Sequence, residues 1–179
     1  SLLVLLSGGT NYSTETANYR TNESVLHQRI DDIINKALAK NYTTLKTRQQ
    51  KSHRMLFDRC QLSITPDDCN TKPTPQLVAD YNKTDSSYLD NHFLEELYFN
   101  YGRYLLISCA QGIALPSNLQ GIWNYSNSAV WHCDIHANIN VQMNYWPAEV
   151  TNLSELHNNL LDYIYNEALI HTQWRDNVN

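Results

Sequence analysis

Residues 2–6, LLVLL, are the one run in this 179-residue chain that reads as a β-strand, and a strand with no neighbour leaves its own backbone unsatisfied. The run is short, continuous and apolar and ends at Gly8-Gly9, the pattern of a buried strand followed by a turn. Every longer periodic stretch is helical. Val25, Leu26, Ile30, Ile33, Ile34, Ala37 and Leu38 recur at helical spacing and predict an amphipathic helix over 23–40. A second helix, with a poorer pattern, is expected over about 43–57, with Leu45, Met55 and Leu56 inward. Pro66, Pro73 and Pro75 among many Asp, Asn, Ser and Thr residues make 61–86 a long loop, with one turn of helix near 76–81.

The strongest helical pattern is 88–110, opened by Ser87 and Asp90 in the spacing of a capping box. Phe93, Leu94, Leu97, Tyr98, Tyr101, Tyr104, Leu105 and Ser108 line one broad face, which reads as core packing. Residues 111–138 have no periodicity and read as extended loop. A helix should start near Asn140 and run to Glu149, shortened or bent by Pro147. Asn152 with Glu155 then marks another helix start, with Leu153, Leu156, Leu160, Leu161, Ile164 and Leu169 as its apolar face. The expected class is therefore mainly α.

The net charge of −5 is mild and the basic residues are scattered, so nucleic acid is not an expected partner. No apolar run approaches the roughly 20 residues of a membrane span. Residues 2–6 lack the charged region that precedes a signal peptide's apolar core. Cys60 and Cys69 flank a turn-rich stretch and could close a short disulfide loop or remain free thiols; Cys109 reads as a small core thiol. N-x-S/T sequons at Asn11, Asn22, Asn41, Asn82, Asn124 and Asn152 point weakly to a secreted or periplasmic setting.

Residues 115–151, LPSNLQGIWNYSNSAVWHCDIHANINVQMNYWPAEVT, hold three of the four tryptophans and six asparagines. Indole rings offer flat apolar faces with a polar edge, and carboxamides both donate and accept hydrogen bonds. A ligand that is half hydroxyl and half C–H face, such as a sugar, suits that mixture. His132, Cys133, Asp134 and His136 are dense potential metal ligands, but their spacing matches no standard zinc site, and no metal or other cofactor is expected.

The motifs YGRYLLIS (101–108), LPSNLQGIWN (115–124) and NINVQMNYWPAEVTNLSELH (138–157) closely resemble glycoside hydrolase family 95, whose main activity is α-L-fucosidase of the 1,2-linkage type. Weaker agreement runs through HRMLFDR (53–59) and LLVLLSGGTNY (2–12). The resemblance implies an N-terminal β-sandwich, a helical linker and an (α/α)6 barrel. On that pattern residues 1–20 are the end of the sandwich, 21–86 the linker and loop, and 87–179 the opening helices of a partial barrel. It also implies an incomplete chain, inactive alone, acting within the whole enzyme on a fucosylated oligosaccharide or glycan.

In the family, two asparagine carbonyl oxygens hold the attacking water, and by motif these correspond to Asn138 and Asn140. Side chains two apart share one side of an extended backbone, whereas on a helix they diverge by roughly 200°. The role therefore requires residues 136–140 to be non-helical. The competing role for N-x-N is helix capping, which Asn140 could also serve. His136 would face the same side, and the resemblance assigns histidine there to fucose and threonine to the galactose configuration; otherwise it is a core histidine with a backbone partner. Trp123 and Trp131 are candidate sugar-facing rings or loop packing. Asn118 and Gln120 could donate to the sugar or pin the loop. Glu149 and Glu155 match non-catalytic positions, and the family's general acid and its amide-polarising aspartate are expected beyond Asn179. Alternatives are an α-L-galactosidase of the same family and a non-catalytic carbohydrate-binding or structural fragment.

Overall fold

The computed structural model describes residues 2–64, 72–81, 92–112 and 115–177. Its regular elements are helices: α1 (Glu23–Leu38), α2 (Tyr42–Phe57), α3 (Thr74–Tyr81), α4 (Phe93–Ala110), α5 (Asn140–Tyr145), α6 (Pro147–Val150), α7 (Asn158–Ile170) and α8 (Gln173–Asp176). A short 3-10 turn occupies Ser154–Leu156, and Val130–Cys133 forms a tight turn whose Trp131 and His132 are not helical. Among the described residues, β-pairing is limited to two isolated bridges, Tyr12 with Arg20 and Asn118 with Gly121. The mainly helical class is as expected. The expected buried strand is not formed: residues 2–6 have no regular structure, and Leu2, Val4 and Leu6 are exposed. No described strand lies alongside to take their backbone groups.

The chain divides into two compact units, one drawn from residues 1–55, 114–116 and 158–179, the other from 56–113 and 117–157. In the first, Asn22 caps α1 by accepting from the Ser24 N–H, and the half-buried Leu26, Ile30, Ile34 and Ala37 mark its inner stripe. Much of the tightest packing in this unit is polar. The Tyr19 ring stacks on His171 at 3.8 Å, and the Tyr19 hydroxyl donates to the buried Glu167 carboxylate at 2.8 Å. His171 Nε2 lies 3.3 Å from the Thr14 carbonyl, and Asn159 donates to the Leu115 carbonyl at 3.1 Å.

In the second unit the core is Leu56, Leu77, Leu106, Ile107, Cys109, Ala110, Val141, Tyr145, Ala148, Leu153 and Leu156. The α4 face differs from the expected one. Positions 103, 106, 107 and 110 are buried, an i, i+3, i+4, i+7 stripe, while Tyr98 is 81% exposed and Tyr101 and Tyr104 also face outward. The stripe is disguised because its first member is Arg103, only 1% exposed. That guanidinium donates to the carbonyls of Phe57 and Cys60 at 2.7 Å each and of Leu56 at 3.0 Å, and sits 5.2 Å from the centroid of the Phe57 ring. It thus satisfies carbonyls at and just beyond the C-terminus of α2, where a cation is also favoured by the helix dipole. Met55 is exposed, so only Leu45 and Leu56 of the expected trio turn inward.

Asn152 ends a helix instead of starting one. Its φ of 59° is left-handed, the Leu153 N–H donates to the Ala148 carbonyl at 2.7 Å, and the Asn152 N–H to that of Glu149 at 3.2 Å. This is a Schellman closure of α6 with asparagine in the position usually held by glycine. The next α-helix therefore begins at Asn158. Leu153, Leu156 and Leu160 are buried, but Leu161, Ile164 and Leu169 are exposed. The capping pair at 87 and 90, and Cys69 of the considered disulfide, lie outside the described residues; Cys60 carries a free thiol.

Two predictions follow from these cores. Arg103→Met should lower stability to urea by about 3 kcal/mol, because it strands buried carbonyls; an unchanged midpoint would contradict the assigned role. Burial, with the Glu167 hydrogen bond second, pushes the Tyr19 hydroxyl from 10.0 up to about 12, and burial does the same for Tyr163. The folded protein then holds protons that the unfolded chain has lost. The stabilisation is complete below pH 10 and disappears as pH rises through about 12. Thermal melts across that window should fall steeply, and less so in Tyr19→Phe.

Candidate active site

The loop between α4 and α5 is fastened from both sides. The buried Cys109 Sγ lies 2.8 Å from Ser117 Oγ, and burial pushes the thiol's pKa up. From α5, the Tyr145 hydroxyl accepts the Ser117 N–H at 3.0 Å, and Asn144 donates to the carbonyls of Ser117 and Asn118 at 3.4 and 3.3 Å. Asn118 Oδ1 accepts from the Gln120 N–H at 2.8 Å and from the Cys133 thiol at 3.1 Å, so Asn118 pins the loop. The Leu119 N–H donates to the Asp134 carbonyl at 3.1 Å, which joins the two arms of the loop.

Between those arms the chain makes an unusual turn. Trp131, His132 and Cys133 have φ of 54°, 56° and 56°, three consecutive non-glycine residues in the left-handed region. Each such residue costs about 1–2 kcal/mol. Hydrogen bonds close the turn, from the His132 N–H to the Ala129 carbonyl at 3.1 Å and from the Asp134 N–H to that of Trp131 at 3.3 Å.

A cleft of about 500 Å³ opens beside this turn, and Trp131, His136, Asn138 and Asn140 all line it, with Leu119, Gln120 and Val130 completing its wall. Trp131 meets the His136 ring edge-on at 5.6 Å. His136 Nδ1 is hydrogen-bonded to the Asp134 carboxylate. The two asparagines do not converge through extended backbone. Residues 137–139 form a turn, Asn140 is already the first residue of α5, and the Val141 N–H donates to the His136 carbonyl at 2.9 Å. A reverse turn followed by one helical position brings both side chains to the cleft, so the expected extended 136–140 is corrected. Asn140 is not the cap either: that position is Ile139, with no side-chain cap bond, and Asn138 Oδ1 accepts from the Ile139 N–H at 2.8 Å.

Trp123 lies apart from the other four. It lines a neighbouring cleft of about 530 Å³ with Asn144 and Met143, and its ring lies against Gly121. Leu119 and Gln120 border both clefts. Neither Glu149 nor Glu155 lines either cleft. Glu155 pairs with Arg59 at 2.5 Å, and its carboxyl is held below the usual range by a hydrogen bond to its own backbone and then by Arg59. Glu149 lies 3.1 Å from His157 Nδ1. Among the described residues no three His, Cys, Asp or Glu side chains gather as metal ligands, and His132 is exposed. Asp134, weighed in the sequence only as a metal ligand, is placed by the structure beside His136; the D-x-H spacing was the available signal.

The family model described as "Glycosyl hydrolase family 95 catalytic domain" matches residues 41–176. The chain belongs to glycosyl hydrolase family 95. The family 95 match contains both clefts and the loop that shapes them. Among curated relatives, "Probable alpha-fucosidase A" of Aspergillus niger is 33% identical over 168 residues, covering 91% of this chain and 21% of that protein. The Aspergillus oryzae protein of the same name is 35% identical, covering 87% and 22%. "Alpha-L-fucosidase 2" of Arabidopsis thaliana is 36% identical over 125 residues, covering 69% and 15%. The chain thus spans about a fifth of the length of the two Aspergillus relatives it matches.

Gly121, at φ +65°, joins these parts: a Cβ there would sit 2.7 Å from the Trp123 ring. Gly121→Ala should lower stability by about 1–2 kcal/mol, combining left-handed strain with displacement of that ring. A thermal melt and a shift in indole fluorescence would report it, and a silent variant would deny the packing its importance.

Proposed function

We propose that this chain is part of an inverting exo-α-L-fucosidase that removes terminal, 1,2-linked α-L-fucose from fucosylated oligosaccharides or glycans. The observation that carries the reading is the convergence of Asn138 and Asn140 on one cleft with His136 and Trp131. The family resemblance and the fucosidase names of the relatives support it.

Inversion needs a water held on one face of the sugar and a proton donor on the other. Two carboxamide oxygens can accept both hydrogens of one water and point its lone pair at the anomeric carbon. A neutral amide is a weak base, so a carboxylate accepting from its NH2 would raise electron density on its oxygen. With Glu149 and Glu155 engaged elsewhere, the proton donor and that carboxylate belong to other residues of the enzyme. His136 beside the asparagines favours fucose over the galactose configuration, and Trp131 offers a ring for the sugar's apolar face. In the same reading, residues 1–20 end a β-sandwich, 21–86 form the linker and 87–179 open an (α/α)6 barrel, in a secreted or periplasmic enzyme.

In the full-length enzyme, Asn138→Ala or Asn140→Ala should lower kcat on an aryl α-L-fucoside at least about 100-fold while KM moves little, because the water acts mainly in the transition state. Equal losses in kcat and binding would remove the water-holding role. Faster hydrolysis of the aryl α-L-galactoside by the parent enzyme would transfer the assignment to an α-L-galactosidase.

A further inference from the structure

The cleft contains a pairing that the water-holding asparagines do not use. His136 Nδ1 is bound to Asp134 Oδ1, and His136 lines the cleft. Asp134 is fixed at both ends of its peptide. Its N–H donates to the Trp131 carbonyl at 3.3 Å, and its carbonyl accepts from the Leu119 N–H at 3.1 Å. With φ of −80° and ψ of 175° it is extended, so the side chains at 134 and 136 fall on one side of the chain. The left-handed run at 131–133 delivers the chain into that extended stretch. The backbone thus brings the carboxylate beside the imidazole, and the carboxylate orients the ring.

An ionised carboxylate only accepts hydrogen bonds, so a hydrogen bond between it and Nδ1 requires the proton on Nδ1. A neutral imidazole carries one ring proton, which leaves Nε2 as an acceptor. We propose that Asp134 is a positioning residue that locks His136 in the Nδ1–H tautomer, so that Nε2 accepts a hydrogen bond from a hydroxyl of the bound sugar. The sugar part of this inference rests on the fucosidase reading; the tautomer part does not. Side-chain carboxamides at 138 and 140 carry both donors and an acceptor, but the locked ring can only accept. It discriminates for a hydroxyl at the place it faces, because a group without a proton to give would leave a lone pair unmatched there.

The test uses the full-length enzyme. Nitrogen NMR of histidine-labelled protein in alkaline buffer, with the His136 signal identified by its loss in His136→Gln, should show the proton on Nδ1. Asp134→Asn should move that signal toward the other tautomer. On the aryl α-L-fucoside, Asp134→Asn should raise KM about tenfold, the size of one lost hydrogen bond, with kcat changed much less. Asp134→Glu should recover part of that loss, and Asp134→Asn should cost nothing further in the His136→Gln background. A proton on Nε2 in the parent protein would overturn the proposal, and so would losses at 134 and 136 that simply add. The parent spectrum decides the tautomer even where a variant fails to fold. If the parent enzyme does not cleave the fucoside, the proposed function falls while the spectrum still decides the Asp134–His136 arrangement.

Discussion

Arg103 ties the second unit together. Its guanidinium is withdrawn from water and would be costly there if unpaired, yet it meets three carbonyls at and after the end of α2 and a phenyl face. This joins α4 to the end of α2 by directional bonds that apolar contact alone could not provide. The consequences run along the chain. Two turns after Arg103 on α4, Cys109 touches Ser117; Ser117 is bound by Tyr145; and Tyr145 ends the short helix that Asn140 begins. The cleft asparagine is thus coupled to a buried cation through a short series of local contacts.

The same residue explains part of what was hard to read in the sequence. Helices α1 and α2 and the break at Pro147 follow from spacing and from proline's missing N–H, and they form close to where those signals place them. The α4 face does not, because a charged residue at the first buried position hides the stripe and leaves the tyrosines as the apparent inner surface. Asn152 misled for a related reason. The asparagine that suits a helix start also tolerates the left-handed conformation that stops one, and only tertiary bonds decide between them. Residues 2–6 are apolar enough for a strand, but hydrophobicity supplies no hydrogen-bonding neighbour.

At the cleft, residue types and motif carried more information than backbone geometry. His136, Trp131, Asn138 and Asn140 share one cleft, but the asparagines reach it through a turn into a helix, a route that side-chain spacing does not encode. Nor does any composition rule anticipate three left-handed residues in a row at 131–133. Strain of this kind persists where surrounding bonds over-determine the chain, and it gathers beside functional sites. Here the bonds from Ala129, Leu119 and Asn118 supply that constraint.

Leu119 and Gln120 line both clefts. Their bulk is therefore a shared quantity. A change at either side chain alters the lining of both clefts at once. A roomier cleft on the Trp131 side therefore cannot be made at these two positions without reshaping the wall that Trp123 shares.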